Sequence, residues 1–461
     1  MAAGLAALAV PGPKRSAIAA QPMLTGQVAW PGSPLYEDGR RAFNSRFDRY
    51  PAGIVFCDNV EDVQHAIIWA QAQALSISVR SGGHSYEGYS VLDNRLLIDL
   101  SGLTHLAVDH AAGTATVGPG VRLLNLYRAL AAEGVAVAAG TCPGVGLGGL
   151  VLGGGIGFRS RRDGLACDSL LDVEGVLADG RVFQASASEQ PDLFWALRGG
   201  GGGNVGVATR LTFRTTPAHD VSMASITWPW DEAAAVIAAW QAWAPGTDPR
   251  LSSSLAFFRP DSGVIGFTGL HLGPVGELEA LLRPLLETGS PSPLLRALSW
   301  LEAAETLAGP GGAHATFKNG SGFAYRPLPQ EAIALVVSWM AEAPAPSNLI
   351  SFFSMGGAIS QIAPAETAFP HRFALFDIQI QAYWQDAWQE DENVAWVNGF
   401  RQALAPYTRG AYVNYIDADQ PDWATAYYGR NLNRLRRIKA RYDPDGVFDA
   451  PQSVPAGVAA P

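Results

Sequence analysis

Between Gly134 and Phe158 the chain carries no charge, and GVAVAAGTCPGVGLGGLVLGGGIGF packs ten glycines and Pro143 into 25 residues. The run is long enough to cross a bilayer. A spanning helix, however, must satisfy its own backbone hydrogen bonds, and this composition favours turns. We therefore read it as buried backbone wrapped around something, which requires the rest of the chain to supply a large covering core.

The 461 residues suffice for two or three domains. With 48% hydrophobic and 16% charged residues the chain is globular and charge-poor. The balance of 32 basic and 42 acidic residues gives a net charge of −10. A polyanion would be repelled, so nucleic acid is excluded as a partner. Cys57, Cys142 and Cys167 neither build a disulfide framework nor have the CxxC spacing of a zinc site, and no metal site is expected. Lys14 and Arg15 follow the short apolar piece at the N-terminus, where a signal peptide would need them before it. Residues 1–25 therefore read as a loose tail, with cytoplasm favoured over export. No membrane association is expected, and the chain is a monomer or homodimer.

In EDVQHAIIWAQAQALSISVRSGGH an acid-headed helix leads to a short β-branched strand and then a glycine turn, which puts His84 on a strand-to-loop exit. Short strands and helices alternate onward, with a hairpin at Asp179 and Gly180. The five glycines 199–203 fit either a flexible linker or a tight loop pressed on a ligand. From about residue 215 the texture changes, and nine of the 13 tryptophans fall between Trp228 and Trp396. The expected organisation is an N-terminal part (1–214), a second domain (215–400) and a C-terminal return (401–461). YVNY in the return reads as a strand, with Tyr415 on the opposite face from Asn414.

The glycine pieces do not make a dinucleotide fingerprint, because they are spread over separate loops instead of one G-x-G-x-x-G turn. Amides from several loops can still form an anion nest for a pyrophosphate. Four stretches then carry a resemblance: RSGGHSYEG (80–88), GTCPGVGLGGLVLGGGIGFRSRRDGL (140–165), DLFWALRGGGGGNVGVAT (192–209), and YVNYID with YYGRNLNRLRRIKARYDPDGVFDAPQS near the end. In order and over nearly the whole chain, they resemble the berberine bridge enzyme-like FAD-linked oxidases of the vanillyl-alcohol oxidase / p-cresol methylhydroxylase superfamily.

The resemblance implies an α+β fold. A two-part FAD-binding domain of the p-cresol methylhydroxylase type would enclose an inserted substrate domain, a large antiparallel sheet covered by helices. It implies FAD attached twice, through His84 to the 8α methyl and Cys142 to C6. Imidazole and thiolate are nucleophiles suited to an electron-poor ring. Arg80, Ser81, Gly82, Gly83 and Ser85 would line the pyrophosphate and nearby ring. Gly146, Gly148, Gly149, Gly153, Gly154 and Gly155 would bring amides to the cofactor, and Val207 would close its far side. Val145 occupies an oxygen gate where valine accompanies oxidases. Tyr415 matches the family's base, flanked by Tyr412 and Asn414. Gln379 lies near the flavin face, with Gln381 on the same strand face. Leu150 and Ile156 depart from the family, removing a polar group and a second tyrosine.

The expected reaction is oxidation of an alcohol, hemiacetal or activated C–H of a ring-bearing small molecule, with molecular oxygen as acceptor and hydrogen peroxide as product. Two alternatives stay open. One is a biosynthetic dehydrogenase or oxidative cyclase, and the other a non-redox flavin scaffold for binding or ring closure. The tryptophans predict an aromatic platform at Trp300 or Trp339, with Trp384 as packing. The scarcity of carboxylates on the pocket strands favours an apolar polycycle over a sugar.

Overall fold

A computed structural model describes residues 24–309, 311–312 and 314–457. Apart from its last two residues, the tail expected over 1–25 lies outside these. The helix Val60–Ala72 is capped by the Asn59 side chain, carries Glu61 and Asp62 in its first turn, and buries Val63, Ala66, Ile67 and Ala70 on one stripe. The strand that follows, Ile77–Arg80, pairs in parallel with Leu96–Asp99, which pairs in parallel with Gly53–Phe56. Both faces of Leu96–Asp99 are covered, which accounts for the consecutive apolar residues Leu96, Leu97 and Ile98 before the ion-paired Asp99.

A second, antiparallel sheet runs in the order Leu106–Asp109, Thr114–Val117, Val207–Arg214, Leu170–Val176, Val182–Ser186. The two ends of the uncharged glycine run, 136–140 and 151–158, lie buried against this part of the molecule, and its middle is partly open. Its short helix Leu147–Leu152 ends where Gly199 and Gly201 both donate amides to the Leu152 carbonyl, at 3.0 and 2.9 Å. The five glycines are thus a packed loop and not a linker. Gly199 (φ +107°) has no room for a Cβ, since Phe369 lies directly behind it.

A seven-stranded antiparallel sheet fills the middle of the chain, in the order Ser292–Leu298, Val221–Pro229, Val264–His271, Leu251–Phe258, Leu349–Ser354, Phe376–Trp384, Thr316–Ala324. One face is apolar. Ile226, Trp228, Leu255, Phe257, Phe267, Ile350, Phe352, Ile378 and Ile380 bury against helices that include Ala233–Trp243, Gln330–Ala341 and Glu390–Leu404. Trp384 belongs to this helix-covered face, as expected.

The predicted platforms do not survive. Trp300 is buried edge-on to Tyr127 with the Arg159 guanidinium over its ring, and Trp339 stacks on Phe400 in the helical layer. Both rings sit on helices, Trp300 at the start of Trp300–Ala308 and Trp339 within Gln330–Ala341, and serve packing there. The other sheet face carries Ser225, Thr227, Ser254, Thr268, Ser351, Gln379 and Gln381 in cross-strand register, all half-buried. Phe258, Leu349 and Phe353 alternate with them on the same face, so this surface mixes hydrogen-bonding groups with apolar area.

The chain then returns to the first part. Lys439, on the helix Leu432–Tyr442, donates to the Asn204 and Phe448 carbonyls at 2.8 and 2.6 Å. The junction is held by Lys318, on the edge strand Thr316–Ala324. Its ammonium lies 2.7 Å from Glu87, 2.7 Å from Asp417 and 3.0 Å from Asp419. Lys318, Glu87 and Asp417 are 1%, 4% and 2% exposed, so the acids cannot simply turn to water. Among the described residues no helix is long and apolar enough to cross a membrane.

Removing one partner of a buried ion pair strands the others, at about 3–5 kcal/mol. Lys318→Met is expected to lose that much in urea unfolding. A loss under about 1 kcal/mol would mean that Glu87 and Asp417 find other partners.

Candidate active site

Two loops and two larger elements converge on one cleft. The first loop leaves the strand Ile77–Arg80, where the Arg80 guanidinium is paired with Asp99 and also donates to the Arg41 carbonyl. Gly83 takes a left-handed conformation (φ +73°) and turns His84 outward. The imidazole stacks on Phe43, ring centres 3.9 Å apart. Burial, with the Arg122 charge beside it, holds the ring at about 4, so at neutral pH it is an uncharged nucleophile.

The second loop carries Cys142 and lies back to back with the first. A Cβ on Gly82 or on Gly146 would strike the other loop's backbone, and one on Gly144 would come within 3.0 Å of His84 Nε2. The Cys142 thiol is open to solvent yet crowded by protein, as a group on the wall of a deep cleft must be. That crowding raises its pKa above the ordinary thiol range. A thiolate there would disfavour ionisation of Tyr86, Tyr383 and Tyr415, so all three lie within its field.

The strand Phe376–Trp384 forms the opposite wall. Alternation turns Asp377, Gln379, Gln381 and Tyr383 to the cleft and the residues between them to the helices. Gln379 Nε2 donates to the Tyr86 hydroxyl (3.3 Å) and to Asn319 Oδ1 (3.0 Å), which joins this wall to the His84 loop. The Tyr383 hydroxyl donates to Gln381 Oε1 at 3.0 Å.

The C-terminal return supplies the remaining wall, although not as the predicted strand. Val413–Tyr415 is a single 3₁₀ turn, so face alternation does not apply and the Tyr412 and Tyr415 rings meet edge to face, 4.9 Å apart. Tyr415 lies parallel to Tyr86 at 5.6 Å. Burial, followed by the nearby Asp377 charge, pushes the Tyr415 phenol well above its usual value. Asp377 is itself raised to about 8 by burial, and its Oδ1 is buried without a hydrogen-bond partner. Sequence reasoning missed Asp377 and Tyr86. The alternation that singled out Gln379 and Gln381 also includes Asp377, two residues upstream.

Several predicted cofactor contacts are engaged elsewhere. Arg80 is neutralised by Asp99, Ser81 Oγ donates to the Pro119 carbonyl (2.6 Å), and Ser85 Oγ accepts the Tyr89 amide (3.0 Å). The amides of Gly148, Gly154 and Gly155 donate to Pro119 O, Val151 O and the Tyr412 hydroxyl. Tyr412 also accepts from Ile156 and from Asn414, whose amide reaches the Leu150 carbonyl at 2.9 Å. Gly153 leaves room for the Asn414 side chain. Tyr412 and Asn414 therefore fasten the glycine run to the C-terminal return. Val207 is buried in the antiparallel sheet, while half-buried Val145 donates its amide to the Cys142 carbonyl (3.2 Å). A side chain on Gly149 would meet nothing within 4 Å, so there the run faces open space.

A neutral imidazole and an accessible thiol on two touching loops, an orphaned buried carboxyl oxygen and parallel tyrosine rings fit a flat, electron-poor cofactor. The comparisons agree with this reading. Residues 51–186 match the family model described as FAD binding domain, and residues 411–455 the one described as berberine and berberine like. The chain is similar to an uncharacterised FAD-linked oxidoreductase of Bacillus subtilis, 40% identical over 94% of this chain and 97% of that one. It is 32% identical to a carbohydrate oxidase of Microdochium nivale, over 92% of each chain. The solved structure of berberine bridge enzyme-like protein 1 of Physcomitrella patens superposes with a TM-score of 0.90 at 32% identity, covering 94% of this chain and 98% of that one. With fold, cleft and similarity in agreement, the chain belongs to the berberine bridge enzyme-like family of FAD-linked oxidoreductases.

Proposed function

We propose that this enzyme oxidises a hydroxyl-bearing ring carbon of a carbohydrate to a carbonyl, with FAD held by both His84 and Cys142 and molecular oxygen as final acceptor. The observation that carries the substrate class is the cleft-facing side of the sheet. Its serines, threonines and amides offer hydrogen-bond partners that suit a polyhydroxylated ring, beside the apolar Phe258, Leu349 and Phe353. The similarity to a carbohydrate oxidase supports the same class. Parallel Tyr86 and Tyr415, with Tyr383 nearby, take the stacking role expected of tryptophan.

Bound FAD would supply the two-electron acceptor for the substrate hydride and return those electrons to oxygen as hydrogen peroxide. The protein's task is the proton. Tyr415 keeps its own proton at neutral pH, because burial and the Asp377 charge both oppose the phenolate. We take the ionised Asp377 carboxylate, whose Oδ1 has no hydrogen-bond partner in the resting site, as the final acceptor: Tyr415 would take the substrate hydroxyl proton while its own passes to Asp377. Gln379 holds Tyr86 against Tyr415 and is an orienting group, since an amide takes no proton at neutral pH. Val145, adjoining the Cys142 loop, leaves the space through which oxygen would approach.

Three outcomes are expected. After acid precipitation the yellow colour stays with the pellet of wild type, His84→Ala and Cys142→Ala, and washes out only when both residues are changed. One equivalent of free FAD from the wild type would end the covalent reading. Anaerobic flavin reduction by a sugar substrate, followed by stopped flow, falls about 10²- to 10⁴-fold in Tyr415→Phe and in Asp377→Asn. Because Asp377 must be ionised to accept, the wild-type rate climbs as pH rises through about 8, and Asp377→Asn loses that climb. Finally, a screen of sugars should release peroxide, and Val145→Leu should slow reoxidation in air. Reduction by sugar without peroxide would favour a dehydrogenase, and no bleaching by any sugar or aromatic alcohol would favour a scaffold.

A further inference from the structure

The two anchor loops come from distant parts of the chain, and one side chain spans them. Arg122 stands just before the helix Leu123–Ala132, and the Cys142 loop is laid along that helix start. Leu123 donates to the Val145 carbonyl (3.0 Å), Leu124 to the Pro143 carbonyl (3.2 Å), and Arg122 itself bridges to Gly146. From this position the Arg122 guanidinium reaches outward. One nitrogen, Nη1, donates both to the Gly82 carbonyl, two residues before His84, and to the Gly144 carbonyl, two residues after Cys142 (2.6 Å).

A half-buried charged group spent on two neutral carbonyls is a costly way to hold loops. Among the described residues, the one carboxylate whose field reaches Arg122 is Asp99, already paired with Arg80. Neither loop can adjust easily, because Gly82 and Gly146 touch backbone to backbone and Gly144 leaves only the room that His84 Nε2 requires. The separation of the two anchors is therefore fixed by how far one guanidinium nitrogen stands from two carbonyl oxygens.

We propose that Arg122 is a positioning residue that holds His84 and Cys142 at the one spacing that lets both attach to the same flavin ring. It rests on the doubly attached reading and adds what makes it geometrically possible. Without Arg122 each loop still carries its nucleophile. Either bond can then form alone, and what is lost is their coincidence on a single ring.

The test is a peptide digest of the holoenzyme, read by mass spectrometry and flavin absorbance. Wild type should yield one species in which the His84 and Cys142 peptides are joined through the flavin. Arg122→Met should keep bound flavin but lower the joined fraction at least about tenfold, replacing it with singly linked peptides, because two hydrogen bonds from a charged donor are lost. Arg122→Lys, which keeps a cation able to reach one carbonyl, should fall between. The fraction is a ratio within bound flavin, so a general loss of stability does not move it. An undiminished joined fraction in Arg122→Met overturns the proposal. Wild type without any joined species instead overturns the doubly attached reading beneath it. Should Arg122→Met give no soluble protein, Arg122→Lys and Arg122→Gln decide: a fall in both supports the proposal, and an undiminished fraction in either overturns it.

Discussion

The cleft exists because one buried ammonium cannot be left alone. Lys318 lies at the edge of the seven-stranded sheet, and its three carboxylates come from the His84 loop (Glu87) and the Tyr415 turn (Asp417, Asp419). Arg46 reaches Glu87 at 3.8 Å and Arg401 reaches Asp417 at 3.2 Å, so the acids are shared among cations on both sides of the junction. Such a network is weak support for stability in itself, since desolvation offsets much of the attraction. Its value is register. No slide of the sheet against either loop keeps all the charges paired, so the cleft-facing strand meets the anchors in one relation only.

Within that frame the same physical condition acts differently on each group. Exclusion of water favours neutral forms. For His84 this means a free lone pair, for Asp377 a carboxyl poised near neutrality, and for Tyr415 a phenol that keeps its proton. The resemblance alone put the base on the tyrosine, which would need a cation to hold its phenolate. What lies near the phenol is an acid, Asp377, and on the proposed reading the tyrosine would conduct protons to it.

Local signals in the sequence were read well. The glycine run is buried over both of its ends, His84 is at a strand exit, and the alternation of DIQIQAYW correctly sorts Gln379 from Trp384. What failed depends on partners far away in the chain. YVNY has the pattern of a strand but no neighbouring strand to pair with, so it closes into a 3₁₀ turn over the glycine run. Asp377 was visible as a residue but not as a site, because only the strand order, with Thr316–Ala324 as its other neighbour, faces it toward Tyr415.

The fastening of the glycine run by Tyr412 and Asn414 has a bearing on biosynthesis. The nucleophiles are translated within the first 145 residues, but the hydroxyl that receives the Gly155 and Ile156 amides, and the aspartate that completes the Lys318 cluster, come some 260 residues later. A nascent chain still on the ribosome has both proposed attachment points and no closed cavity around them. On the doubly attached reading, capture of the cofactor would wait for the C-terminal return, and a chain cut short before residue 411 would lack the Tyr412 and Asn414 contacts that fasten its most glycine-rich backbone.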